Sequence, residues 1–255
     1  MANPALTRRA LFIRAVPIMG ANIATPLVGL ADLAVIGNTG DASAIAAVAL
    51  GTLVFNAFYW SLGFLRMGAT ALAAQAEGGG KPGEVAAVLW RGLAVGAGLG
   101  VVMVICQIPL REAAFAMFSG AEAVEQAGRA YVDARIWGAP AALAGFALYG
   151  WLIGLGLTGR ALALQIALNL ANIALSVWFV LGLDQGVAGV GAASALAQWL
   201  HLLAAAVLIA PVLLTRRRPG AAQVLERGAL ARLFAVNRDI FLRTLALLAG
   251  FYWFN

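Results

Sequence analysis

LFIRAVPIMGANIATPLVGLADLAVI, residues 11–36, is a run of 26 residues in which Asp32 is the only carboxylate and Arg14, near its start, the only cation. As a helix it rises about 39 Å, enough to cross a hydrocarbon core of about 30 Å. A carboxylate in such a span costs several kcal/mol, so it marks a candidate functional site. Asp32 must either take up a proton or be balanced by a cation such as Na⁺. Pro26, six residues earlier, removes a backbone hydrogen bond and permits a kink. The stretch therefore predicts a membrane helix that can change shape when its carboxylate changes state.

The same apolar pattern recurs along the 255 residues, which are 63% hydrophobic and only 11% charged. Spans are expected near 44–65, 86–107, 131–157, 161–183 and 188–214. The fold class expected is an all-α polytopic membrane protein. Short connections between most spans predict antiparallel neighbours in one bundle. A seventh span begins near Ile240 and reaches only Asn255, 16 residues. That is about 24 Å of helix, so a truncated start of a second lobe is expected. The predicted organisation is a six-helix transmembrane lobe over 1–214, a basic linker over 215–239 and that partial helix over 240–255. Residues 108–130 are expected to form an external loop with a short amphipathic helix. The run from Gly78 to Gly83 lacks the spacing and the Ser or Thr of a phosphate loop and reads as a turn.

A net charge of +6 invites a nucleic-acid reading, but the positions of the cations argue against it. With the N-terminus in the cytoplasm, inner segments hold all of the 17 Lys and Arg residues except Arg111, Arg129 and Arg135. That asymmetry is topogenic. The first run is too long for a signal-peptide core and is expected to be mature structure. A lone Cys106 excludes an intrachain disulfide.

Polar residues fall in helical stripes. Asn22, Thr25, Gly29 and Asp32 follow at spacings of 3, 4 and 3, and Thr52, Asn56, Tyr59 and Gly63 at 4, 3 and 4. Gln165, Asn169, Asn172 and Ser176 follow at 4, 3 and 4, and Ser194, Gln198 and His201 at 4 and 3. Each set shares one helix face. In lipid such groups must find partners, so they are expected to face one another, either as interhelical fastenings or as the lining of a cavity. His201 could relay protons, bind substrate or simply pack. Glycines spaced by four, Gly92, Gly96 and Gly100, then Gly150 and Gly154, predict close helix packing.

Several words in the chain carry a resemblance: PLVGLADLAVIG around Asp32, FLRMGATALAAQAEG from Phe64, YVDARIWGAP from Tyr131, NLANIALSVWFVLG from Asn169, GVAGVGAASALAQ from Gly186 and NRDIFLRTL from Asn237. In this order they resemble the multidrug and toxic compound extrusion (MATE) family, in its DinF-like branch. The resemblance implies a secondary antiporter of two six-helix lobes with alternating access. It implies export of cationic, amphipathic xenobiotics across the bacterial inner membrane in exchange for H⁺ or Na⁺. The family's first-helix Asp and Pro match Asp32 and Pro26, and its fifth-helix asparagines match Asn169 and Asn172. Relatives in this branch commonly carry Asp where this chain has Ser176, which implies one coupling carboxylate rather than two. The cavity lining expected is Asn22, Thr25, Asn56, Tyr59, Asn169, Asn172, Ser176, Gln198 and His201. The partners implied are a small cationic substrate, membrane lipid and a second lobe, with no nucleic acid, no resident metal beyond Na⁺ at Asp32 and no cofactor.

Other function classes fit less well. An intramembrane serine protease needs a Ser and a His from different helices, whereas Ser194 and His201 share one, and neither Gly-x-Ser-x-Gly nor His-Glu-x-x-His occurs. No enzyme is expected. A lipid-linked oligosaccharide flippase of the same superfamily is the alternative, with a non-transporting membrane fragment as a third. A flippase would favour a basic cavity, and the spans show Asp32 with no Lys or Arg expected in mid-helix.

Overall fold

The structure, a computed structural model, describes residues 8–24, 27–117, 121–214, 219–224, 226–238 and 242. The first predicted span is occupied by α1 (Arg8–Ala24) and α2 (Leu27–Gly37). Thr25 and Pro26, and with them the expected kink, lie outside the described residues. Then follow α3 (Ala42–Ser61), α4 (Phe64–Gly78), α5 (Pro82–Ile105), α6 (Gln107–Met117), α7 (Glu122–Arg135), α8 (Ala139–Gly154), α9 (Thr158–Val177), α10 (Gly186–Leu214) and α11 (Ala221–Val224). Among the described residues six helical runs are long and apolar enough to cross a membrane. The chain is an all-α membrane protein.

Local chemistry explains the boundaries. Asp41 caps α3, its carboxylate accepting the Ser43 N–H at 2.8 Å and the Ala44 N–H at 3.3 Å. Pro82 opens α5, where a missing N–H costs nothing, after a turn in which Gly80 adopts φ of +63°. A π-helical turn, Trp178–Gly182, ends the fifth span.

Glycine then sets how closely the helices approach. A Cβ on Gly96 or Gly100 of α5 would collide with the α8 backbone at Leu143 or Pro140, and one on Gly150 or Gly154 of α8 would collide with α4 at Arg66 or Thr70. These are the glycines spaced by four, and they seat α8 against two neighbours at once. Trp151 is wholly buried there, its indole N–H donating to the Val85 carbonyl at 2.8 Å.

Two expectations need correction. The second run continues through α4 to Gly78 rather than ending near residue 65, interrupted only around Leu62 and Gly63. The fourth begins at Glu122, so the supposed loop over 108–130 is largely helix, and its second helix, α7, enters the bundle. The reason is amphipathicity. Gly128, Tyr131, Val132 and Arg135 lie at three- and four-residue spacings on the buried face of α7, while Arg129 on another face pairs with Glu112 of α6.

At the end of the bundle opposite Asp32, part of the expected linker is anchored. Buried Arg91 of α5 donates from Nε to the Val224 carbonyl and from Nη2 to the Gln223 carbonyl, each at 2.9 Å, and pairs with Glu84 Oε1 at 2.9 Å through Nη1. Residues 227–238 continue as helix and bring Asn237 to a buried position beside Gly68. Apart from Leu242, the predicted seventh span lies outside the described residues.

Candidate ion-coupling site

Asp32 is wholly buried where α2 meets α9 and α10. Its Oδ1 accepts the Ser176 hydroxyl at 3.1 Å, and its Oδ2 accepts the Ser194 hydroxyl at 3.0 Å. Asn172 Nδ2 donates in turn to Ser194 Oγ at 2.9 Å, while Asn172 Oδ1 is buried without a hydrogen-bond partner. The carboxylate is thus held by neutral groups from two further helices. Hydroxyl donors strengthen toward an anion but bring no charge to balance it.

A buried cation lies on α7. Arg135, 8% exposed, interacts electrostatically with Asp32. Its Nη1 donates to the Tyr131 hydroxyl, and its guanidinium lies over the Phe55 ring at 4.9 Å and the Tyr131 ring at 5.4 Å. The Tyr131 hydroxyl is also 3.1 Å from Thr52 Oγ1. Small residues make this approach feasible, because a Cβ on Gly51 of α3 would meet the Tyr131 ring and one on Gly191 of α10 the Tyr131 carbonyl. Arg135 was expected among the three cations left outside the inner segments, and no mid-helix cation was expected at all. The correction has a plain cause: α7 is part of a span, and its buried face ends on Arg135.

The other predicted residues divide. Asn172 and Ser176 join Asp32. Asn169 is buried but fastens helices, donating to the Ala24 carbonyl at the end of α1 at 2.7 Å and accepting from Gln165 at 3.2 Å. Asn22 is exposed and accepts from Arg66 at 2.8 Å, so the stripe from Asn22 to Asp32 does not share one environment. Asn56 is exposed, Gln198 half-buried, and Tyr59 packs on Phe55 and Phe146 with ring centroids 5.6 and 5.7 Å away. His201 is buried with Nδ1 3.2 Å from the Leu164 carbonyl. Thr25 and Pro26 lie outside the described residues.

Sequence reasoning missed Ser194 as a direct partner of Asp32, and it missed Tyr131 and Arg135. The available signal was the spacing of Gly128, Tyr131 and Arg135 along one face of α7.

Comparison with known proteins bears on the family and the fold. The MatE family model matches residues 17–178. The chain is 36% identical over 242 residues to DNA damage-inducible protein F of Escherichia coli, covering 94% of this chain and 52% of that protein. It is 28% identical over 238 residues to multidrug resistance protein MdtK of Edwardsiella ictaluri, covering 91% of this chain and 52% of the other. The chain therefore spans about half the length of these relatives. Among solved structures, a MOP superfamily transporter from Pyrococcus furiosus superposes with a TM-score of 0.80 at 21% identity over 94% of this chain and 54% of that one. A MATE structure in the straight conformation gives 0.80 at 24% identity over 95% and 54%. The chain belongs to the MatE family, whose members are transporters rather than enzymes.

Proposed function

We propose that the chain forms the first six-helix lobe of a secondary antiporter that exports small cationic, amphipathic compounds, with Asp32 as the group whose charge state couples the exchange. The observation that carries this reading is a wholly buried carboxylate whose hydrogen bonds come from neutral hydroxyls on two other helices. A membrane protein needing only interhelical fastening has no use for a charge of that cost. The multidrug-resistance name of one relative supports the cargo class. The cation asymmetry along the sequence supports a multi-pass protein of the bacterial inner membrane with its N-terminus in the cytoplasm. Residues 1–214 would be this lobe and 215–239 the linker to a second one, which alternating access requires.

Protonation, or a Na⁺ ion, discharges Asp32 on one side of the membrane and releases its hold on a cationic substrate; loss of that ion on the other side restores it. The test is Asp32→Asn in a complete two-lobed transporter carrying this sequence, reconstituted in vesicles with an imposed ion gradient. Ethidium efflux is expected to lose its dependence on the gradient, and undiminished, gradient-driven efflux overturns the assignment. The flippase alternative expects a basic cavity, and Arg135 makes charge sign alone insufficient to separate the two readings. A parallel assay with a fluorescent lipid-linked pyrophosphate separates them directly.

A further inference from the structure

We propose that Arg135 is the resident counter-ion of Asp32 and sets how tightly that carboxylate holds any external cation. This rests on Asp32 being the coupling group and concerns a residue which that reading leaves without a role.

Four observations converge on it. Asp32, Arg91 and Arg135 are the buried charged side chains among the described residues, and Arg91 is already paired with Glu84. That leaves Asp32 and Arg135 as opposite charges in one interior: a Cβ on Gly191 of α10 would lie 3.2 Å from the Arg135 backbone N, and Ser194, one turn further along α10, donates to Asp32, so each lies within the other's field. The direct hydrogen bonds of Asp32 come from Ser176 and Ser194, not from the guanidinium. Arg135 itself is held by the Tyr131 hydroxyl and two aromatic rings, contacts that fix its position without cancelling its charge. The titratable groups facing this pair are Tyr131 of α7 and Tyr59 of α3; α9 and α10 contribute Asn172, Ser176 and Ser194, which are neutral.

The arrangement has a chemical consequence. Oxygen ligands for a small cation are present in the Asp32 carboxylate, the two serine hydroxyls and the unpartnered Asn172 Oδ1. Without a resident positive charge such a set would grip a cation firmly. With Arg135 in the same interior, a cation that enters does so against a fixed positive charge in a medium of low dielectric. A transporter must release its ion every cycle, so a weakened grip favours turnover. Arg135 is a positioning residue, acting on the ion through Asp32.

The experiment uses the 255-residue chain purified in lipid nanodiscs, with radioactive Na⁺ as the probe in equilibrium dialysis. The wild type is expected to bind Na⁺ weakly. Arg135→Gln is expected to tighten binding by about tenfold or more, the order expected for deleting one nearby charge in a protein interior. Adding Asp32→Asn should abolish the gain, and Arg135→Lys should restore wild-type weakness. A merely structural role predicts the opposite, loss of binding in the Gln variant. The proposal is overturned if folded Arg135→Gln binds no tighter than wild type, or if its gain survives Asp32→Asn. Arg135→Met, which keeps a long side chain without its charge, is the second variant; if neither neutral variant folds, Arg135 is a structural pillar and the proposal fails. Ion binding is read without transport, so the outcome stands apart from that of the efflux assay.

Discussion

Two buried arginines at opposite ends of the bundle show how the same side chain performs different tasks. Arg91 spends all three guanidinium nitrogens on fixed partners, Glu84 and the carbonyls of Gln223 and Val224. Its charge is neutralised where it stands, and the result is a clamp on the chain that follows α10. Arg135 meets a phenol hydroxyl and two ring faces, and the carboxylate it acts on, Asp32, is held by other groups. Its charge remains available to the site. Burial alone therefore says little about role; the identity of the partners decides it.

The largest effect should come from cutting the clamp. Arg91→Met leaves two carbonyls and a half-exposed Glu84 without their donor, and thermal unfolding in detergent should report a loss on the order of 3 kcal/mol. Arg135→Gln should lose less, because Asp32 can then discharge by taking up a proton. Equal losses would break the contrast between the two arginines.

A smaller effect sharpens the Arg135 end. Tyr131→Phe removes the hydroxyl shared by Thr52 and Arg135 and should cost about 1 kcal/mol in the same assay. Wild-type stability in that variant would mean that the aromatic faces alone hold the guanidinium.

The smallest effect lies outside the membrane. Hydrogen bonds from the Ser43 hydroxyl, then from the Ser43 and Ala44 N–H groups, hold the Asp41 carboxyl below its ordinary value of 3.8. A depressed value means that the cap's contribution is complete above 3.8 and fades as pH falls through the lower folded value. Asp41→Asn preserves a capping side chain but cannot titrate. Its unfolding temperature should fall less steeply than that of the wild type as pH drops below the ordinary aspartate range, whereas identical acid profiles would remove Asp41 as a contributor.

Much of the fold was legible because lipid imposes a simple rule. Long apolar runs, short loops and a scarcity of charge dictate helical spans before any contact is known. Asp32 was legible for the same reason, as an anomaly of cost, while helical spacing put Asn172 and Ser176 on one face of the fifth span and the family resemblance singled them out as its partners. Where the reading erred, it treated charge as a mark of the outside. Arg135, flanked by Asp133 and Arg129, looks like loop chemistry in one dimension, and only the face of α7 separates it from these half-exposed neighbours. The stripe containing Ser194 and His201 shares a face but not an environment. Two turns of α10 carry one residue to Asp32 and the other to the Leu164 carbonyl.

The sequence by itself determined the all-helical membrane class, the spans to within a turn or two at most ends, and the cost-marked carboxylate, because these depend on local composition and period. Only the tertiary structure decided which polar groups meet Asp32, that a guanidinium shares its interior, and that Arg91 holds the chain beyond the sixth span. Those depend on how closely helices approach one another, which glycines at Gly51, Gly96, Gly100 and Gly191 set through contacts far apart along the chain.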